Sequence, residues 1–246
     1  MANQKKVLVT GATRGMGKEI SRVLEEKGHH VILGARSLQD SQSIVKEIES
    51  KGLSVSTVQL EVNLINSVQN AVQDRNALDI LINNAGIALE ASSPSKLDVT
   101  KVKNEFDVNV FGVINVTSAI LPLLQKEKEA KIINMSSMMG SLNSALDKDS
   151  IVYGASVAGY QSSKAALNMY SIQLSKELEK EGYDISIDLV DPGMVATEFG
   201  GLDPETAKKM GARSVDEGIK RVIELVEQDK INKNITFTNN DGVVPW

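Results

Sequence analysis

Short runs of Val, Ile and Leu recur along the chain at residues 7–10, 31–34, 55–60, 80–83, 132–135, 185–190 and 235–238. They are apolar throughout rather than alternating, the pattern of strands covered on both faces. Between them lie stretches at 16–27, 44–50, 102–124, 159–181 and 215–227 whose apolar residues return every three or four positions. That period belongs to helices. Strand and helix alternating from end to end predict an α/β chain, a doubly wound parallel sheet of about seven strands with helices on both faces and right-handed crossovers. No repeat, low-complexity tract or Pro/Ser-rich linker divides the 246 residues, and the five prolines are scattered. A single domain over 1–246 is therefore expected. In such a sheet ligands bind beyond the carboxyl ends of the strands, near the point where strand order reverses.

Composition narrows the chemistry. Lys plus Arg number 27 against 32 Asp plus Glu, a formal net charge of −5, so no basic field recruits nucleic acid or an anionic membrane. Cysteine is absent, which removes disulfides, a thiol nucleophile and cysteinate metal sites. The two histidines, His29 and His30, are adjacent; neither a multi-histidine metal centre nor a separated triad is easily built from them, and no metal is expected. The N-terminal stretch has no apolar core of the secretory kind, and no apolar run approaches the roughly 20 residues that span a bilayer. A cytoplasmic location is expected, and the Asn-x-Ser/Thr triplets at Asn115, Asn134 and Asn234 are read as chance.

The candidate chemistry lies after the strands. Behind the first comes Thr10-Gly11-Ala12-Thr13-Arg14-Gly15-Met16-Gly17, where glycines let the backbone turn tightly and approach a pyrophosphate at a helix N-terminus. A plain structural turn reads the same way. The second strand ends in Arg36 rather than the carboxylate that often holds an adenosine ribose. With Arg14 it forms a pair suited to a 2′-phosphate, each charge-assisted hydrogen bond being worth about 1.5–3 kcal/mol, which favours NADP over NAD; a solvated strand-end arginine is the other reading. Glu61, after the third strand, is placed near an adenine or is simply a loop carboxylate. Asn83-Asn84-Ala85-Gly86 closes the fourth strand as a turn or a cofactor contact. Asn109 lies in an apolar helix, where a buried amide must be hydrogen-bonded; it braces the sheet or serves a site.

Tyr160 and Lys164 are four residues apart and share a helix face. A free tyrosine has a pKa near 10, about three units too high to exchange protons at neutral pH. One ammonium about 4 Å away at an effective dielectric of 20 supplies roughly the 4 kcal/mol required. Tyr153 has Val157 at the corresponding position and no such partner. The sixth strand leaves through Asp191-Pro192-Gly193-Met194-Val195-Ala196-Thr197, an ordinary turn or a contact to nicotinamide and phosphates.

In this order the segments closely resemble the short-chain dehydrogenase/reductase family, from Val7 to about Thr197. The resemblance rests on Thr-Gly-x-x-x-Gly-x-Gly at Thr10 to Gly17, Asn-Asn-Ala-Gly at Asn83 to Gly86, Asn109, Ser137, Tyr160 with Lys164, and Pro-Gly-x-Val-x-Thr at Pro192 to Thr197. It implies a single-domain Rossmann fold binding NADP (NADPH) through Gly11, Thr13, Arg14, Gly15, Met16, Gly17, Arg36, Glu61, Val62, Asn84, Ala85, Gly86, Tyr160, Lys164, Pro192, Gly193, Val195 and Thr197. It also implies a tetrad. Tyr160 is then the general acid, Ser137 polarises the substrate carbonyl, Lys164 lowers the Tyr160 pKa and holds the nicotinamide ribose, and Asn109 positions a water in the proton relay. The family pattern Ser-x-x-Gly selects Ser137, three residues before Gly140, over Ser136.

Two departures stand out. Glu61 replaces the usual aspartate, and the stretch between Ser137 and Tyr160 is long, as in the carbonyl-reductase-like branch, where an extra segment lines the substrate site and covers a tetramer surface. A monomer or homodimer is expected, and a stable tetramer on sedimentation would overturn it. The leading expectation is an NADPH-dependent reductase of an apolar, uncharged ketone or aldehyde carbonyl, or its alcohol in reverse, with substrate loops at 89–97, 141–159 and 199–211. Alternatives are a non-catalytic NADP(H)-binding sensor or partner-binding protein, and an NAD-dependent alcohol dehydrogenase.

Overall fold

The computed structural model describes residues 4–53, 55–73, 75–229 and 231–246. The first half runs β1 (Lys6–Thr10), α1 (Gly15–Glu26), β2 (His30–Ala35), α2 (Leu38–Ser50), β3 (Ser56–Gln59), α3 (Ile65–Val72) and β4 (Ile80–Asn83). Then come α4 (Val99–Phe106), a π-helical turn (Asp107–Gly112), α5 (Val113–Leu124), β5 (Ala130–Met135), α6 (Leu142–Leu146), α7 (Ala158–Glu181) and β6 (Ile185–Val190). The chain closes with α8 (Pro204–Lys209), α9 (Val215–Glu227), β7 (Thr236–Asn239) and β8 (Gly242–Val243).

The strands form one sheet in the order β3-β2-β1-β4-β5-β6-β7-β8. β1 to β7 pair in parallel and β8 turns back antiparallel on β7. Strand order reverses between β1 and β4, so the crevice above those two carboxyl ends is the switch point.

Alternate side chains of a strand feed opposite faces. Val7, Val9, Val31 and Leu33 pack with Ile20, Leu24, Ile44 and Val222 of α1, α2 and α9 on one side. Leu8, Ile32, Leu81 and Ile132 pack with Val68, Ile120, Leu174 and Leu178 of α3, α5 and α7 on the other. This double coverage is the physical reason the strands read as unbroken apolar runs.

The differences from expectation are local. The sheet has the seven parallel strands plus a two-residue eighth, too short to carry an alternation of its own. The third strand is shorter than the 55–60 run, and its burial alternates because β3 is a sheet edge. Helix 102–124 begins at Val99, capped by Asp98 accepting from Thr100 N, and contains the π turn. The continuous helical run Val99–Leu124 has a mean hydropathy of 1.5 over an 18-residue window. It is long and apolar enough to cross a membrane, which corrects the sequence reading; half of that window is buried in the fold, with Glu105 and Asn109 fully inside.

Candidate active site

The glycine turn after β1 is shaped by close approach. Gly11 and Gly15 have φ of +63° and +52°, values that L side chains seldom adopt. A Cβ on Gly17 would lie 2.4 Å from Gly11 O and from Asn84 Nδ2. The turn delivers the chain into α1, whose Arg14 N-cap makes no side-chain cap hydrogen bond. The first N–H groups of this 12-residue helix are left without a side-chain cap, the condition under which a helix start accepts an anion.

The Asn83–Gly86 segment is the brace of that turn. Asn84 donates through Nδ2 to Thr10 O (2.9 Å) and Gly11 O (3.2 Å). Thr10 Oγ1 accepts from the N–H groups of Asn84 and Ala85, each at 3.0 Å. Asn84 thus holds the glycine turn in shape, its side-chain donors being spent. Asn83 points inward, donating to Asn134 Oδ1 (2.8 Å) and Thr117 Oγ1 (3.1 Å), while Asn134 donates to Ser171 Oγ (2.9 Å). This buried polar chain links β4 and β5 to α5 and α7, and nothing in the sequence singled it out.

Arg36 stands exposed just past Ala35, and β2 lies beside β1 with Gly34 opposite Thr10. Arg14 is paired with Glu198 at 3.5 Å, both two-thirds exposed. Glu61 is half-buried, its N–H donating to Ser67 Oγ at 2.9 Å. Val62 is buried against Gly112, where a Cβ would come within 2.6 Å. Thr197 lies across the glycine turn: a Cβ on Gly15 would meet Thr197 Cγ2 at 3.4 Å. Gly193, with φ +72°, sets the exit of β6, its N–H donating to Asp191 Oδ1, and Val195 bridges to Arg213. Pro192 is half-buried beside it.

The four tetrad candidates converge over the carboxyl end of β4 and β5. Ser137 caps the short 3₁₀ turn Met138–Gly140, accepting from Met139 N at 3.2 Å, and its hydroxyl faces the Tyr160 phenol closely enough to act on its pKa. Burial pushes that phenol above its ordinary pKa, the nearby Ser137 hydroxyl opposing the rise and the Asp191 and Glu105 charges adding to it. Lys164 is buried, which pulls its ammonium down to about 8. Its Nζ donates to Met135 O at 2.7 Å and lies 5.6 Å from the Tyr160 ring centroid. The lysine is therefore beside the tyrosine, as the spacing predicts, but in this structure burial outweighs any lowering of the phenol.

Asn109 is a brace, its amide engaged at both ends. Its Nδ2 donates to Ile87 O (2.8 Å) and Ser163 Oγ (3.0 Å), and its Oδ1 accepts from Ile87 N (2.9 Å). A Cβ on Gly86 would sit 3.3 Å from Asn109 Oδ1 and 3.8 Å from Lys164 Nζ. The brace thus ends in the same small space as the lysine, and the absence of a side chain at Gly86 keeps it open.

Phe199 packs edge-on against Tyr160, ring centroids 5.7 Å apart. The sequence marks it only as the first residue of the 199–211 loop. Leu89, Met194 and Leu202 are exposed in the neighbouring loop segments.

Comparison with known proteins agrees with this geometry. A family profile described as short chain dehydrogenase matches residues 5–207. The chain is 34% identical over 233 residues to the short-chain dehydrogenase anuI of Penicillium roqueforti, covering 90% of this chain and 88% of that protein. It is 35% identical over 206 residues to the NADP-dependent 3-hydroxy acid dehydrogenase of Schizosaccharomyces pombe, covering 79% and 73%. Among solved structures, the NADPH-bound carbonyl reductase from chicken fatty liver superposes with a TM-score of 0.82 at 27% identity, over 99% of this chain and 100% of that one. With its doubly wound sheet, glycine turn and Tyr–Lys pair, the chain belongs to the short-chain dehydrogenase family of oxidoreductases.

Proposed function

We propose that this chain is an NADPH-dependent reductase of ketones or aldehydes, with Tyr160 as the general acid. The observation that carries the reading is the placement of the Lys164 ammonium beside the Tyr160 ring, with the turn that carries Ser137 packed on Lys164 through Gly140, over the carboxyl ends of β4 and β5. The tight turn in which Gly11 and Gly17 pack against Ala85 and Asn84 with no room for a Cβ, ending at the uncapped start of α1, fits a dinucleotide pyrophosphate. Arg36 and Arg14 fit the 2′-phosphate. The relatives named for NADP or NADPH support the same cofactor.

The reduced nicotinamide supplies the hydride when bound. The chain's residues do the rest. Ser137 Oγ donates to the substrate carbonyl oxygen and polarises it, and Tyr160 gives that oxygen its phenolic proton as negative charge develops there. Lys164, held at Met135 O, stabilises the phenolate that remains and holds the ribose; Asn109, beside the space at Gly86, positions a water in the relay that restores the proton. Phe199, Leu89, Met194 and Leu202 make the wall apolar, so an apolar, uncharged carbonyl compound is the substrate class. The tail is tied to the start of the 141–159 segment, Asn143 N donating to Trp246 O at 2.8 Å, and a monomer or homodimer is the proposed state.

The test is loss of reduced-nicotinamide absorbance with NADPH, then NADH, against aldehydes, α-diketones and aryl ketones. Turnover with NADPH that falls by a factor of at least about 10² in Tyr160→Phe, with NADPH affinity kept, is the expected result. A Tyr160→Phe variant as active as the wild type would remove the acid role, and a preference for NADH would remove the cofactor assignment.

A further inference from the structure

Glu105 is fully buried and is used by none of the steps above. Its Oε1 accepts from Leu89 N (2.6 Å) and Glu90 N (3.0 Å). Its Oε2 is the one buried side-chain nitrogen or oxygen without a hydrogen-bond partner among the described residues. That oxygen is pressed onto Gly159, where a Cβ would come within 2.1 Å of it. A buried carboxylate with an idle oxygen costs stability, so its retention calls for a task.

The placement indicates the task. Glu105 and Asn109 are one turn apart on the helical run from α4 into the π turn. Asn109 holds Ile87 through two hydrogen bonds, and Glu105 holds Leu89 and Glu90. Four helical residues rise roughly 6 Å and two extended residues span roughly 6.6 Å, so one helix face holds Ile87, Leu89 and Glu90 of the loop that follows β4. The opposite partners repeat the spacing: Asn109 touches Ser163, whose hydroxyl donates to Tyr160 O at 2.7 Å, and Glu105 touches Gly159, the residue before Tyr160. Two rungs, 109–163 and 105–159, therefore join the substrate-side loop to the turn of α7 that carries the tyrosine.

We infer that Glu105 is a positioning residue whose carboxylate clasps Leu89 and Glu90 on one side and seats Gly159 on the other, fixing the substrate loop relative to the Tyr160 phenol. The inference rests on the carbonyl-reductase reading, in which that loop borders the substrate. Gly159 is glycine because its neighbour's oxygen occupies the space of a side chain.

The test compares Glu105→Ala with Glu105→Gln, which keeps one oxygen for the two N–H groups. Glu105→Ala should speed amide exchange at Leu89 and Glu90 by about tenfold or more, since two hydrogen bonds are lost, and leave the β5 amides protected. It should raise KM for the carbonyl by about tenfold while the NADPH Kd stays within about twofold, and Glu105→Gln should restore both readouts. Unchanged exchange, an unchanged KM, or a glutamine variant as defective as alanine overturns the inference. If Glu105→Ala does not fold, Gly159→Ala displaces the same carboxylate from the other side; an unchanged KM there is equally fatal. A wild-type protein that binds NADPH but reduces no carbonyl defeats the proposed activity alone, and exchange at Leu89 and Glu90 then decides whether the clasp exists.

Discussion

Arg36 stands where β2 leaves the sheet, exposed and beside the glycine turn. An arginine there offers a planar set of donors to a phosphate, which a carboxylate would repel. Arg36→Asp should therefore reverse the cofactor preference, with KM for NADPH rising by roughly tenfold to a hundredfold, the loss of one or two charge-assisted hydrogen bonds of about 1.5–3 kcal/mol. NADH should gain, because aspartate accepts from a free ribose hydroxyl. Steady-state kinetics with both cofactors checks this, and an unchanged ratio places the 2′-phosphate elsewhere. Arg36, Tyr160 and Lys164 were legible in the sequence because each is defined by local spacing: a strand end, and two residues one helical turn apart. Glu105 was not. Helical periodicity marks apolar positions, and a glutamate between Asn104 and Phe106 gives no sign that it faces inward until the partners at Leu89 and Gly159 are in place. Asn109 was legible for the opposite reason, since an amide in an otherwise apolar run must have a partner inside.

The turn after β5 carries Ser137, the proposed partner of the substrate carbonyl, and packing against α7 holds that turn in place. Gly140 closes the 3₁₀ turn that carries Ser137, and a Cβ there would lie 2.7 Å from Lys164 C and Lys164 Cβ and 2.8 Å from Ala165 N. Those are the main chain and root of a buried helix, which cannot swing aside. Asn168, one turn further along α7, accepts from Ser136 Oγ at 2.5 Å and binds the turn from the other side. Gly140→Ala should push the turn away from α7, cost about 1–3 kcal/mol as overpacking, and lower kcat more than NADPH affinity, since Ser137 moves and the glycine turn does not. Denaturant unfolding and single-turnover rates read the two effects separately; full activity in the variant would show that the turn has room to yield. The sequence supplied the strands and the long helices because burial on two faces, or on one stripe, leaves a pattern. It did not supply α3, α6 and α8, each of eight residues or fewer, because so short a segment completes barely two turns of periodicity.

Across the whole molecule, polar groups collect at both ends of the sheet and do different work. The carboxyl end carries the proposed chemistry, whereas the amino end ties down the last turn of α9. Lys131 of β5 is almost fully buried, and its ammonium donates to Leu225 O and Gln228 O. Lys5 donates to Val226 O, and His29 Nε2 meets Glu227 at 2.6 Å. Cations at a helix C-terminus are favourable, but burial, with the Lys5 charge adding, pulls the Lys131 pKa from 10.5 down to about 8, against the attraction of Asp188, Asp229 and Glu129. Between pH 8 and 10.5 the unfolded chain then holds the Lys131 proton more tightly than the folded one, and stability rises with pH wherever the unfolded state binds more protons. Below about pH 8 both states carry the charge and the burial penalty is constant. The unfolding free energy of the wild type, measured against that of Lys131→Met, should therefore increase across this window by an amount of order 2 kcal/mol. Denaturant titrations of both proteins at closely spaced pH values give the difference directly. Curves that stay parallel from pH 8 to 10.5 would mean that the helix carbonyls compensate the charge in full, leaving the amino end of the sheet no titratable strain.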